Sequence, residues 1–376
     1  MYDRRVRIAL FCPSFGQVGG IETKAEILIS AFRAEGHEVA VLARGESAAS
    51  SAHADVPVVR LPYHQLPRRG RHVARQIRFV RALPGTVGAL RRATRDASAD
   101  VVLTLAVSSY APYAIALAGA APVVLSLEGG GPGFARNPRV MRWALRRAAR
   151  VVAVAGSLAR TAAALAPDVG PRLTVIPNGV EPERFAAGPT FAHPRRYVLA
   201  VARLSHEKGV DVLLDAFAAL RSADVDLVVA GDGPERLRLV AQCEALGLGS
   251  RVHFLGAVDF ARLPAFYRGA ALVACPSRWE GLPLVCLEAM ASGRAVVATA
   301  VDGTPDAVVD GETGLLVPPD DPQALARAID AVLWKPGWAD DLGAHGTAVV
   351  RERFDWRGIA ARYLDVLREA AGAAHA

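Results

Sequence analysis

Pro276–Pro318 reads P-S-R-W-E-G-L-P-L-V-C-L-E-A-M-A-S-G-R-A-V-V-A-T-A-V-D-G-T-P-D-A-V-V-D-G-E-T-G-L-L-V-P, and its reading decides the fold. The apolar run just before it, Ala271 to Cys275, predicts a buried strand that opens into a short loop holding Glu280 and Gly281. Pro283 stands where a helix begins, a position that loses nothing by lacking an N–H. Leu284, Leu287, Met290 and Ala291 then recur at helical spacing, Gly293 ends the helix, and Ala295–Thr299 is the next buried strand. From Pro283 to Glu288 the helix rises by about 7.5 Å. Glu280 therefore stands at the helix mouth, and Glu288 projects from the second turn. The unpaired N–H groups of the first turn form an anion site beside them. Two carboxylates that accept hydroxyl protons, next to a site that accepts phosphate, suit a sugar nucleotide.

The Glu280-x7-Glu288 spacing inside S-R-W-E-G-L-P-L-V-C-L-E-A-M-A-S-G resembles the signature of the family 4 retaining glycosyltransferases, which have the GT-B fold. Two further segments are similar to the same family: I-P-N-G-V-E-P-E-R-F (Ile176–Phe185) and R-L-S-H-E-K-G-V-D-V-L-L-D-A-F (Arg203–Phe217). The resemblance is dense from Ile176 to Ile329 and thin before that. It implies an α/β chain of two Rossmann-like, doubly wound domains facing a cleft. The boundaries expected are 1–187 for an acceptor-binding domain, 188–195 for a linker and 196–353 for a nucleotide-sugar-binding domain. A last helix within 354–376 is expected to return to the first domain.

Length and composition agree with two domains. The 376 residues exceed what one ordinary core holds, and 52% apolar against 22% charged residues describes a globular protein. The four cysteines, Cys12, Cys243, Cys275 and Cys286, form no C-x-x-C pair and fit a reduced cytoplasmic protein. Val6–Phe11 is too short for the apolar region of a secretory signal. The net charge of +7 is uneven: residues 1–187 carry 25 Lys+Arg and 13 Asp+Glu, and the remainder carries 19 and 24. Lys24, Lys208 and Lys335 are the only lysines among 44 cations, a bias that looks like the codon usage of a GC-rich bacterial genome. It weakens a nucleic-acid reading of the arginines and makes Lys208 stand out.

Val6–Phe11, Glu38–Ala43 and Val56–Leu61 read as the first three strands. The loop C-P-S-F-G-Q-V-G-G-I-E after the first leads into a helix from about Ile21, without the dinucleotide spacing of glycines. Arg68, Arg71, Arg75, Arg78 and Arg81 fall at steps of three and four, with Val73, Ile77 and Val80 on another face. This is a basic amphipathic pattern that suits either anionic lipid or a solvated surface. Val101–Leu127 is uncharged for 27 residues, but Pro112, Gly119 and Pro122 divide it into strand (Val101–Leu105), helix (Tyr110–Ala118) and strand (Val123–Leu127). Glu128-Gly-Gly-Gly-Pro-Gly follows at the carboxyl end, where ligands sit in open parallel sheets. Arg139, Arg142, Arg146 and Arg150 form a second basic stripe, and Val151–Ala155 and Leu173–Ile176 complete the first sheet. Strands at Tyr197–Ala202, Leu227–Ala230 and Val252–Leu255, with helices near Pro234–Leu246 and Leu263–Arg268, predict the second sheet. Helices at Gln323–Leu333 and about Trp356–Ala370 follow.

The resemblance implies transfer of a sugar from a nucleotide sugar, UDP-linked by analogy, with the anomeric configuration retained. Departure of a diphosphate from C1 calls for fixed positive charge at the leaving group. Arg203, Lys208, the Gly20 N–H and the helix N-terminus at Gly281, Leu282, Pro283 and Leu284 supply it. Glu288 is suited to the ribose diol and Glu280 to hydroxyls of the transferred sugar. By resemblance, Gly19 and Gly20 lie near the donor diphosphate. No D-x-D falls in a credible loop, since Asp224-Val-Asp226 precedes a strand and Asp320-Asp321 caps a helix, so no metal or other cofactor is expected. The family commonly carries a histidine where this chain has Glu128, and His72, His193 and His206 do not match that place. Glu128 is left with three roles: orienting the donor sugar, binding a cationic acceptor, or being a loop acid. Asp302-Gly303-Thr304-Pro305-Asp306 also departs from the family's G-G-x-x-E. A sugar-nucleotide epimerase of the same fold, or a silent nucleotide-sugar-binding relative, fits the same anion site. The acceptor is open between a small metabolite and a lipid-linked one, with loose contact to the inner membrane face.

Overall fold

The computed structural model describes residues 5–16, 19–45, 55–61, 73–105, 113, 116–117, 119–129 and 137–373. The chain divides into two compact units, residues 1–177 with 357–376, and residues 178–356. Each is built on one parallel sheet.

The first unit's strands are β1 (Arg7–Phe11), β2 (Glu38–Arg44), β3 (Val58–Leu61), β4 (Val101–Thr104), β5 (Val123–Leu127), β6 (Arg150–Ala153) and β7 (Leu173–Val175), ordered β3-β2-β1-β4-β5-β6-β7. The second unit's are β8 (Arg196–Val201), β9 (Val225–Ala230), β10 (Val252–Gly256), β11 (Leu272–Cys275), β12 (Val296–Thr299) and β13 (Gly314–Val317), ordered β10-β9-β8-β11-β12-β13. Short runs rich in Val, Leu and Ala form these strands because helices cover both faces of a parallel sheet. All four residues of β4, β11 and β12 are buried. Strand order reverses between β1 and β4 in one sheet and between β8 and β11 in the other. Those switch points open crevices at the strands' carboxyl ends.

Several elements differ from the sequence reading. The 18-residue helix Pro336–Arg353 has no counterpart in the sequence reading, and Gly337, Gly343 and Gly346 give it low intrinsic helix propensity. A Cβ on Gly343 would collide with the Gly293 carbonyl, and one on Gly346 would lie 2.8 Å from the Met290 Cγ. The glycines let this helix lie directly on Leu284–Ala291. The helix Gly156–Leu165 and the edge strand β13 were also unassigned. Lys208 ends a 3-10 turn, His206–Lys208, ahead of the helix Val210–Ala218.

The expected boundary at 187 and the linker 188–195 are corrected to a crossing between Pro177 and Asn178. Residues 178–195 belong to the second unit because their side chains complete its core. Phe185 is 1% exposed and meets the Tyr267 ring edge-on, and Phe191 stacks on Phe266 with centroids 4.1 Å apart. The helix Trp356–Gly372 belongs to the first unit from Arg357 onward. The first basic segment forms the helix Val73–Asp96. Arg68, Arg71 and His72, most of the expected helix Tyr110–Ala118, residues 130–133 of the glycine loop, and the side chains of Arg75 and Arg78 lie outside the described residues.

Candidate active site

In the second unit the switch point gathers most of the expected donor residues. Two loops meet there, one after β8 and one after β11. Gly209 has φ of 62°, and a Cβ on it would collide with the Pro276 carbonyl, so only glycine permits the approach. Arg278 clamps the two loops together. Its guanidinium donates to both carboxylate oxygens of Asp211 at 2.8 and 2.9 Å, to the His206 carbonyl at 2.7 Å and to Asp320 at 2.7 Å. The fork geometry of arginine suits this bidentate contact.

The clamp brings Lys208 to Glu280, with Nζ 2.5 Å from Oε1. The Ser277 hydroxyl donates to the same oxygen at 2.7 Å, and the Glu280 N–H donates to Asp302 Oδ2 at 2.9 Å. Asp302 has φ of 43°, a left-handed conformation that costs a non-glycine residue about 1 kcal/mol or more. Burial pushes the Asp302 carboxyl up, and the neighbouring Glu280 charge adds to this. Burial pulls the Lys208 ammonium down most, but the charge and hydrogen bond of Glu280, with the further charge of Glu207, together keep it above its ordinary value. Arg203 is exposed just beyond β8. Burial pushes the nearby Glu207 carboxyl up, yet the Ser205 hydroxyl and the Lys208 and Arg203 charges hold it below the usual range.

Glu288 lies in the second turn of Leu284–Ala291, a helix whose N-cap Pro283 offers no side-chain cap. Gly281, Leu282 and Pro283 are buried ahead of it, and the Leu282 carbonyl accepts from Asn178 Nδ2 at 3.1 Å. The Glu288 carboxylate is 7% exposed as a residue and accepts from the Tyr267 hydroxyl at 2.5 Å. Burial pushes its carboxyl up to about 7, against the Tyr267 hydrogen bond and the Arg184 charge.

The first unit holds the remaining expected residues. Gly19 caps Gly20–Ala34, and the Glu22 carboxylate folds back over Gly19, so this helix N-terminus already has an acid beside it. Glu128, expected as a loop acid or a ligand contact, is instead fully engaged. Its oxygens accept from Lys24 Nζ at 2.7 and 2.9 Å and from the Ser126 hydroxyl at 2.5 Å. Tyr363 joins the cluster, accepting from Lys24 at 2.8 Å and lying 3.0 Å from the Ser126 oxygen. Burial pulls the Lys24 ammonium down, but the Glu128 charge and the hydrogen bonds to Glu128 and Tyr363 raise it overall.

Sequence reasoning missed Lys24, Arg278, Tyr267 and Tyr363. The scarcity of lysine that singled out Lys208 applies equally to Lys24, and Arg278 lies inside the quoted stretch. Nothing local marks the two tyrosines. A cavity of about 960 Å³ in the first unit, lined by Arg5, Arg7, Arg33, Glu38 and Asp55 among others, lies at the strands' amino ends. Its arginines pair with Glu38, Asp100 and Asp55.

Residues 183–348 match the family model described as glycosyl transferases group 1, and residues 18–184 match that described as Glycosyltransferase Family 4. A GDP-mannose-dependent alpha-(1-6)-phosphatidylinositol monomannoside mannosyltransferase of Mycolicibacterium smegmatis is 34% identical over 271 residues, 66% of this chain and 71% of that protein. Other curated relatives are spanned over 39% to 60% of their own length. Among solved structures, sucrose-phosphate synthase from Thermosynechococcus elongatus superposes with a TM-score of 0.85 at 25% identity, over 98% of this chain and 100% of that one. The Anabaena HepE structure with UDP-glucose superposes with a TM-score of 0.77 at 22% identity, over 97% and 100%. The two parallel sheets with flanking helices are thus those of the GT-B fold. Matched along both halves, the chain belongs to the group 1, family 4 glycosyltransferases.

Proposed function

We propose that this glycosyltransferase moves a sugar from a nucleotide sugar to an acceptor hydroxyl, retaining the anomeric configuration and using no metal. The observation that carries this reading is the Lys208–Glu280 pair at the switch point, ahead of an uncapped helix N-terminus. A diphosphate leaving C1 gathers charge in the transition state, and preorganised cations there lower the barrier more than any other single effect. Lys208 and Arg203 supply that charge. With Lys208 already bonded to Glu280, the carboxylate that holds the sugar hydroxyls also orients the cation that receives the leaving group. Glu288, in its apolar setting, takes the ribose diol.

Glu128 has a positioning role in this reading, because Lys24 and Ser126 occupy both of its oxygens. The nucleotide is UDP in this reading. GDP is the competing choice, since one relative is named for GDP-mannose and one solved neighbour holds UDP-glucose. The first unit takes the acceptor, and loose contact with anionic lipid fits its exposed Ile77, Val80 and Trp143 beside arginines.

The test is slow hydrolysis of a panel of UDP- and GDP-linked hexoses in the presence of EDTA. Release of nucleoside diphosphate from one donor is expected, with the free sugar in the donor's own anomeric form. Nucleotide binding without release would point to a silent relative, and interconversion of donors without release to an epimerase.

A further inference from the structure

His193, Asp226 and His253 are far apart in sequence but close in space. Asp226 is the second residue of β9, paired with Tyr197 of β8, and His253 of β10 pairs with Val228 of β9. Side chains two apart on a strand share a face, so Asp226, Tyr197 and His253 point to the same side of the sheet. Residues 188–195 cross that side, and the His193 ring lies 5.4 Å from Tyr197 and 5.1 Å from His253, centroid to centroid. Asp226 Oδ2 is 3.2 Å from His253 Nε2 and 3.8 Å from His193 Nδ1.

We propose that these three side chains bind one divalent transition metal, zinc by preference. Two imidazoles and one carboxylate are a borderline-soft ligand set that suits zinc and its neighbours. Ligands held at about 2.0–2.1 Å around a tetrahedral zinc stand about 3.4 Å from one another, and the two observed separations bracket that value. The Asp226 side chain is only 4% exposed, with Oδ1 3.2 Å from Arg195 Nη1 and Oδ2 facing the two imidazoles. Metal binding would take His193 Nδ1 from its contact with the Arg195 carbonyl, 3.1 Å away. A carboxylate that bridges a metal through Oδ2 and a guanidinium through Oδ1 satisfies both oxygens. The nearby arginine charge lowers affinity for a cation, so micromolar binding is expected rather than tighter.

The metal would be structural. Four strand steps separate Asp226 from Ala230 at the carboxyl end of β9, about 13 Å at a strand's rise. It would fasten residues 188–195 to the sheet toward the strands' amino ends.

Chelator-treated protein titrated with cobalt reads this directly through visible d–d absorption, and zinc is followed by thermal unfolding. One cobalt per chain is expected, with a midpoint raised by roughly 5–10 °C at a hundredfold excess of zinc over its Kd. His253→Ala alters a side chain 38% exposed, so the fold tolerates it. It should weaken cobalt binding at least tenfold, and His345→Ala, at an exposed histidine elsewhere in the unit, should leave it unchanged. Wild-type protein with no cobalt spectrum and no zinc-dependent shift would overturn the proposal. Equal binding in His253→Ala would overturn it as well, placing the metal on other surface histidines.

Discussion

A carboxyl raised to about 7 inside the second unit makes Glu288 sensitive to pH near neutrality. The folded state holds its proton more tightly than the unfolded chain does. This group's stabilisation is therefore complete below the usual glutamate range and is lost as pH rises through about 7, by about 3 kcal/mol in all. A ribose diol donates to the ionised form, so nucleotide affinity should run the other way, rising about tenfold from pH 6 to pH 8. Titration calorimetry with UDP and GDP at both pH values checks this, and in Glu288→Gln the dependence should vanish. Glu280→Gln should leave nucleotide affinity nearly intact and lower turnover on the donor, because it removes an interaction that strengthens as charge develops at C1. If Glu280→Gln abolishes nucleotide binding and Glu288→Gln does not, the two roles are reversed. Glu280, Glu288, Lys208 and Arg203 were legible in the sequence because each sits within a few residues of a strand end or a helix start. Tyr267 was not, since its hydroxyl reaches Glu288 from another helix 21 residues away. The contact of Glu128 with Lys24 was not legible for the same reason, the two lying 104 residues apart.

Among the helices, Pro138–Arg147 is the most sharply divided. Met141, Ala144 and Leu145 are buried, while Arg139, Arg142, Arg146, Arg147 and a half-exposed Trp143 face outward. A tryptophan among arginines suits a headgroup layer, where its ring sits at the interface and each cation near an anionic surface contributes about 1 kcal/mol. The protein should co-sediment with phosphatidylserine vesicles at low salt, and Trp143→Ser should reduce the bound fraction severalfold. Absence of binding at low salt would leave this face to solvent. Of the basic stripe read in the sequence, Arg139, Arg142 and Arg146 lie on this helix, whereas Arg150 opens strand β6. Pro336–Arg353 stayed invisible because its glycines answer to a neighbouring helix, and no local pattern reports a close approach between elements distant in sequence. The strands were easier to read, since parallel strands buried on both faces show up as plain apolar runs. The edge strand β13 was missed because Leu315 and Leu316 are only half-buried.

On the scale of the whole molecule, the chain's end belongs to its beginning. Ile359, Tyr363, Leu364 and Leu367 are buried in the closing helix, and Tyr363 bonds the Lys24 ammonium. Cutting the chain after Trp356 should leave Lys24 and Glu128 partly hydrated. It should abolish the first unit's thermal transition while residues 178–356 still unfold cooperatively, as calorimetry of the truncated and full-length proteins would show. Loss of both transitions would mean that the second unit depends on that helix too. The two-unit plan was legible from length and from the repeat of strand and helix, but the crossing at Pro177–Asn178 was not. Asn178–Phe185 looks like the tail of one domain and packs in the core of the other. The reach from Lys24 to Tyr363, 339 residues, also governs birth on the ribosome. At about 5–20 residues per second, that lysine waits roughly 17–68 s before Tyr363 is made. The second unit is complete before the first can close. The nascent amino-terminal half must stay open and unaggregated through that interval, which makes it the natural client of the cell's chaperones.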